Sequence, residues 1–249
     1  FITSFGERAF RRPLTAAEVE RFKQLESQVR GTQPLADAIR VTLEAFLLSP
    51  AFLYRVEIGQ VAAPGTTEFA KPTSWEMASR LSYLFTGSMP DAELFRAARA
   101  DELITNENIE KQARRLLTTS PRAKDTFRRF YDQWLELRAI TSMQKNAASF
   151  EGWDEGIKPL MKEEGNRLVD SIVWDGNGDA RLLFSADYTF LNGPLAKFYG
   201  VSGVSGDAFV RVNVDPTQRR GILTLPGVLA SHGKPNETLP ARRGKFVRT

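Results

Sequence analysis

The sequence predicts a mainly α protein: a multi-helix bundle with a loop-rich, basic C-terminal third and at most a short β element. Three observations carry this reading. Apolar residues recur at three- and four-residue spacing through most of the chain, as in Ile157, Met161, Leu168 and Ile172. Helix starts are marked by Thr15 with Glu18 and by the pairs Ser49-Pro50 and Ser120-Pro121. From Asp175 onward glycine, proline and asparagine become frequent and helical signals shorten.

Taken in order, residues 2–12 suit a short helix stopped by Pro13. Thr15 and Glu18 form a capping box, each side chain satisfying the other residue's free backbone N–H, and Val19, Phe22, Leu25 and Val29 continue the helix to Gly31. From Pro34 a helix carries Leu35, Ala38, Ile39, Leu43, Phe46 and Leu47, apolar on more than one face and so expected in the middle of the bundle. A further helix is expected over Ala51–Ile58, followed by a loop at 59–74. Helices then begin near Ser74, after Asp91, after Thr105 and at Pro121, and residues 157–174 form the longest amphipathic unit. Two short helical signals, Ala180–Phe184 and Leu191–Phe198, precede Phe209–Val214, whose loose alternation suits a short strand. The domains expected are 1–62, a helical hairpin region; 73–204, the main helical domain; and 205–249, a loop-rich basic region.

Composition excludes several chemistries. With no cysteine there is no disulfide, thiolate metal site, thiol nucleophile or covalent haem attachment within these residues. With one histidine there is no multi-histidine metal centre. No run approaches the ~18–20 apolar residues of a membrane span, so none is expected. Residues 211–249 hold eight Lys/Arg against two Asp/Glu, whereas the rest of the chain is slightly acidic. That asymmetry points to an acidic partner surface. The basic region lacks the interleaved aromatics of a nucleic-acid binder, so no nucleic acid is expected.

The candidate reactive groups are few. Glu164 falls inside an apolar stripe, where burial would raise its pKa and suit it to general acid work. Asp187 and Glu163 are the other carboxylates considered, and the bland alternative pairs Glu164 with Arg80 or Arg167. His232, in Ala-Ser-His-Gly-Lys-Pro-Asn, reads as an axial haem ligand, a proton shuttle, or a loop histidine satisfying a carbonyl. Asp175, Asn177 and Asp179 match the first three ligand positions of a calcium loop. Ala180 stands where the sharp turn needs glycine and Ala186 where the bidentate glutamate belongs, so the expectation is no metal. Arg219, Arg220, Arg242, Arg243, Lys245 and Arg248 form a basic cluster suited to carboxylates, phosphates or haem propionates. Its internal alternative anchors Arg220 and Arg243 on body carboxylates such as Asp91 or Glu164. Trp75, Trp134, Trp153 and Trp174 fit core packing, the last two lying nearer loops.

Several strings, in one order, carry a family resemblance. They are Ala9-Phe-Arg-Arg-Pro-Leu14, Leu47-Leu-Ser-Pro-Ala-Phe-Leu-Tyr-Arg55, Ser79-Arg-Leu-Ser-Tyr-Leu-Phe85 with Gly87-Ser-Met-Pro-Asp91, Asp187-Tyr-Thr-Phe-Leu-Asn192 with Leu195-Ala-Lys-Phe-Tyr-Gly200, and Arg220-Gly-Ile-Leu with Arg243-Gly244. Together they resemble the large secreted bacterial proteins, abundant in planctomycetes and myxobacteria, built from consecutive domains of unknown function and associated with cytochrome c domains. The resemblance implies a periplasmic or extracellular location, no cofactor within this chain, and haem c on a flanking or partner domain reached beyond Thr249. It carries no catalytic residues over.

The expected function is therefore a non-catalytic helical module that positions or docks a c-type cytochrome domain or subunit through its basic cluster. The alternatives are a secreted hydrolase or oxidoreductase acting on a polymer such as a glycan, with Glu164, Asp187 or His232 in the site, and an architectural subunit of a larger assembly.

Overall fold

The computed structural model describes residues 1–60, 70–176 and 178–248, which form fourteen α-helices and one two-stranded sheet. The mainly α fold class is what the periodicity requires. By spatial compactness the chain divides into Phe1–Thr126 and Phe127–Thr249. The sequence-based boundaries follow punctuation, a different criterion.

The first unit opens with α1 (Ile2–Phe10), α2 (Ala16–Arg30), α3 (Leu35–Leu47) and α4 (Pro50–Leu53). The Thr15–Glu18 capping box is formed in both directions. Replacing Thr15 by alanine should therefore cost about 1 kcal/mol, read as a lower urea midpoint. Phe46 is fully buried and joins Phe5, Phe10 and Phe22, stacking on Phe22 at a centroid distance of 3.7 Å. Two expectations fail here. Helix α3 buries only the stripe Ala38, Thr42 and Phe46, while Leu35, Leu47 and Leu48 are exposed, so it does not lie at the bundle's centre. Helix α4 is a single turn rather than a run to Ile58, because Arg11 captures the chain there. Its guanidinium donates to the carbonyls of Ala51, Phe52 and Tyr54, and Tyr54 is extended. Much of the expected loop at 59–74 lies outside the described residues.

Helices α5 (Ser74–Thr86), α6 (Ala92–Arg99) and α7 (Asn106–Thr119) pack around Ala78, Leu81, Leu94, Ala97 and Leu116. Thr73 and Glu76 make a second capping box, and Gly87 ends α5 in the left-handed conformation that glycine adopts without strain. Asp91 caps α6 and also holds Arg115.

The next helix is α8 (Pro121–Trp134). Its Phe130 and Trp134 stack on one another and are exposed, so Trp134 is not the core residue expected.

The second unit is built on α10 (Ile157–Asp170), which follows the short α9 (Arg138–Ser142) and runs into a π-helical turn at Ser171–Asp175. After α11 (Leu182–Ser185), strand β1 (Tyr188–Leu191) pairs antiparallel with β2 (Val210–Asn213), Thr189 opposite Val212 and Leu191 opposite Val210. α12 (Gly193–Tyr199) lies between them, capped by Asn192. The helix expected from Leu191 therefore begins two residues later. Leu191 ends a strand, and proline at 194 suits only the first turn. The C-terminal third, expected as loops, also holds a 3-10 turn at Ile222–Thr224, α13 (Pro226–Ser231) and α14 (Pro240–Arg248). Leu168, Ile172, Leu183, Leu191, Leu195 and Ile222 form the buried centre of this unit.

Candidate functional site

Glu164 lies on the buried face of α10 with no solvent exposure. Alternation along β1 and the end of α12 bring two hydroxyls to it. Thr189 Oγ1 donates to Oε1 at 2.6 Å and Tyr199 Oη donates to Oε2 at 2.8 Å. Burial raises the Glu164 carboxyl to about 7; the two hydroxyls and the charge of Arg219 oppose that rise without cancelling it. Burial, with the Glu164 charge added, also holds the Tyr199 phenol well above its ordinary value, so it stays a donor. Arg219 sits 5.2 Å from the centre of the Tyr199 ring. The arginine pairing expected for Glu164 does not form: Arg80 holds Glu57, and Arg167 holds Glu163.

This carboxyl has the acidity of a general acid but not the access. The void beside it, bounded by Thr189, Arg219, Gly221 and Thr224, measures about 10 Å³. That is at most the space of one water. Asp187 is exposed, and its backbone carbonyl accepts from Val214 N–H beside the sheet. No hydrogen bond or ion pair among the described residues joins Glu164, Asp187 and His232.

His232 stands in the turn just past α13, as its helix cap, and is 3% exposed, against Phe246 with ring centres 4.3 Å apart. Nδ1 lies 2.9 Å from the Val228 carbonyl, which only accepts, so Nδ1 carries the proton. Ser231 Oγ lies 3.1 Å from that nitrogen and itself donates to Val228 O. With Nδ1 donating, His232 cannot take a proton from Ser231, and the pair is no nucleophile–base couple. Nε2 lies 3.2 Å from a Glu136 carboxylate oxygen and has no hydrogen-bond partner among the described residues.

The calcium reading divides. Asp179 is engaged by the Arg181 backbone N–H and guanidinium, and Asp175 is an exposed residue ending the π turn. Asn177 lies outside the described residues. Among the described residues no group of three or more acidic or imidazole side chains is placed to hold a metal.

The basic cluster separates into two sets. Arg220, Arg242, Lys245 and Arg248 are exposed, whereas Arg219 and Arg243 are half-buried. They form part of the wall of a cleft of about 370 Å³ with Lys145, Phe150, Trp153 and Phe198. Among the described residues Arg219, Arg220, Arg242, Arg243 and Arg248 make no ion pair with a carboxylate. Asp91, one anchor considered for Arg220 and Arg243, is held by Arg115. The partners that sequence reasoning missed are Thr189, Tyr199 and Lys145. The first two were inside strings already notable, and a period-two reading of 188–191 would have placed Thr189 on the buried face.

Comparison with known families matches residues 73–201 to PSD4, a protein of unknown function (DUF1592), and residues 1–57 to PSD5, a protein of unknown function (DUF1595). The first match covers more than half of the chain, which therefore belongs to that family. No curated protein and no solved structure matches it. Among the described residues no helix is long and apolar enough to cross a membrane.

Proposed function

We propose that the chain is a non-catalytic helical module of a secreted, cytochrome-c-associated protein, and that it docks a c-type haem domain through its exposed C-terminal arginines. The observation that carries this reading is the contrast between arginines. Arg12, Arg80, Arg96, Arg99, Arg115 and Arg128 each hold a carboxylate, while among the described residues Arg220, Arg242 and Arg248 hold none. Arg8, Arg21, Arg55, Arg122 and Arg138 are also without one, but of these eight only the C-terminal three fall in the stretch with eight Lys/Arg against two Asp/Glu. Arg242 also lies in the first turn of α14, which has no acidic residue there. A cation at a helix N-terminus opposes the helix dipole, and an arriving anion relieves that conflict. The strings that resemble the secreted cytochrome-associated proteins hold the fold: Arg11 binds the carbonyls of Ala51, Phe52 and Tyr54, and Thr189 and Tyr199 meet on Glu164. Such strings need no reaction to account for them. Haem c on a neighbouring domain and a periplasmic or extracellular location belong to this proposal.

The test is surface plasmon resonance of the chain against an acidic c-type cytochrome. Association at low salt should weaken roughly tenfold or more at physiological salt and vanish in the triple variant Arg220→Glu, Arg242→Glu, Arg248→Glu. No association at low salt would overturn the proposal.

A further inference from the structure

The cleft on the second unit is a site in its own right. Its lining converges three cations, Lys145, Arg219 and Arg243, with three aromatic rings, Phe150, Trp153 and Phe198, and no described residue of that lining is acidic. Trp153 and Phe198 meet edge-on at 6.0 Å, and Lys145 Nζ lies 5.3 Å from the centre of the Phe150 ring. Arg243 Nε is buried with no acceptor. Lys145 spends one donor on the Lys234 carbonyl at 2.7 Å and retains two. Burial and the nearby Arg242 push its ammonium pKa down. Cations lining one cleft, with a buried donor left unmet, are costly unless an anion joins them.

We infer that this cleft binds a small aromatic carboxylate: one or two rings against Phe150, Trp153 and Phe198, with the carboxylate on Arg243 and Lys145. The volume suits a ligand of that size, at the small end of ligand pockets. The arginine fork matches a carboxylate, and rings pack on aromatic walls edge-on or offset. A singly charged carboxylate loses less hydration than phosphate on entering a wall that is largely apolar. Arg219 and Thr224 line both this cleft and the void beside Glu164, so the ligand would sit one residue layer from that carboxyl. The inference does not rest on the docking proposal, which uses the exposed arginines; either can fail alone.

Isothermal titration of the chain with 2-naphthoate tests it, with 2-naphthalenemethanol and inorganic phosphate as the matched neutral ring and ringless anion. The expected result is saturable one-site binding of 2-naphthoate, ~10-fold or more tighter than either control. Arg243→Gln and Lys145→Gln should each weaken it by ~5–10-fold while the far-UV circular dichroism is unchanged. Equal binding of the alcohol, equal binding of phosphate, or no saturable binding of 2-naphthoate to the wild-type chain would overturn the inference, whatever the variants do.

Discussion

Replacing Glu164 by glutamine should stabilise the protein at pH 8 and change it little at pH 4. The folded-state carboxyl is raised from 4.5 to about 7 by burial. Below the lower value both folded and unfolded chains carry the proton, and ionisation costs nothing. Between the two values the unfolded chain releases a proton that the folded chain keeps, so the Glu164 contribution to stability falls as pH rises. Above the upper value the loss is complete, at about 3 kcal/mol. Glutamine mimics the protonated acid: its oxygen accepts from one hydroxyl, and its N–H group donates to the oxygen of the other. The difference in unfolding free energy between variant and wild type should therefore grow by about 3 kcal/mol from pH 4 to pH 8 in urea titrations followed by circular dichroism. Parallel pH curves would show that Glu164 is not the buried acid described. Leucine at the same position should do worse than glutamine, because it leaves the Thr189 and Tyr199 hydroxyls without their acceptor.

Gly221→Ala should unsettle the second unit more than alanine at any other described glycine of that unit. Gly221 has φ +56° and ψ −168°, a region that is essentially glycine's alone. Its N–H donates to the Ala186 carbonyl, and a Cβ there would stand 2.4 Å from the Leu183 carbonyl oxygen and 2.5 Å from the Phe184 carbonyl carbon. These are backbone atoms of α11 and cannot swing away. Backbone strain of ~1–3 kcal/mol adds to overpacking of ~1–3 kcal/mol. The expected loss is about 4 kcal/mol, seen as a fall in the urea midpoint and loss of near-ultraviolet circular dichroism. Gly200→Ala is the control: it shares a positive φ, +69°, but nothing lies within 4 Å of its added carbon, so only ~1–2 kcal/mol should be lost. If the two variants lose equally, close approach is not why residue 221 is glycine.

Both predictions fall on strings that first suggested the family. Gly221 lies in Arg220-Gly-Ile-Leu, and the partners of Glu164 lie in Asp187-Tyr-Thr-Phe-Leu-Asn192 and Leu195-Ala-Lys-Phe-Tyr-Gly200. Arg11, in Ala9-Phe-Arg-Arg-Pro-Leu14, closes α4 by taking its carbonyls. Family likeness in this chain thus coincides with long-range polar contacts and one tight backbone approach. That is how a fold is held.

Local rules were enough for much of this protein. The capping box at Thr15, the ends of α2 and α5, the apolar stripe of α10 and the strand at Val210–Asn213 each depend on neighbours within a few residues, so periodicity and cap chemistry reached them. The net charge of the C-terminal region was equally legible, since charge sums without geometry. Whether a charge is spent inside the molecule depends on partners far along the chain. Glu164 takes its donors 25 and 35 residues away, and Arg11 takes its acceptors 40 and 43 residues away. Only the tertiary structure could assign Glu164 to hydroxyls instead of an arginine, bury His232, and sort the basic cluster into exposed arginines and two that wall a cleft. The physical reason is that burial, which sets both the acidity of Glu164 and the cost of an unmet donor, is a property of packing and of no local run of residues.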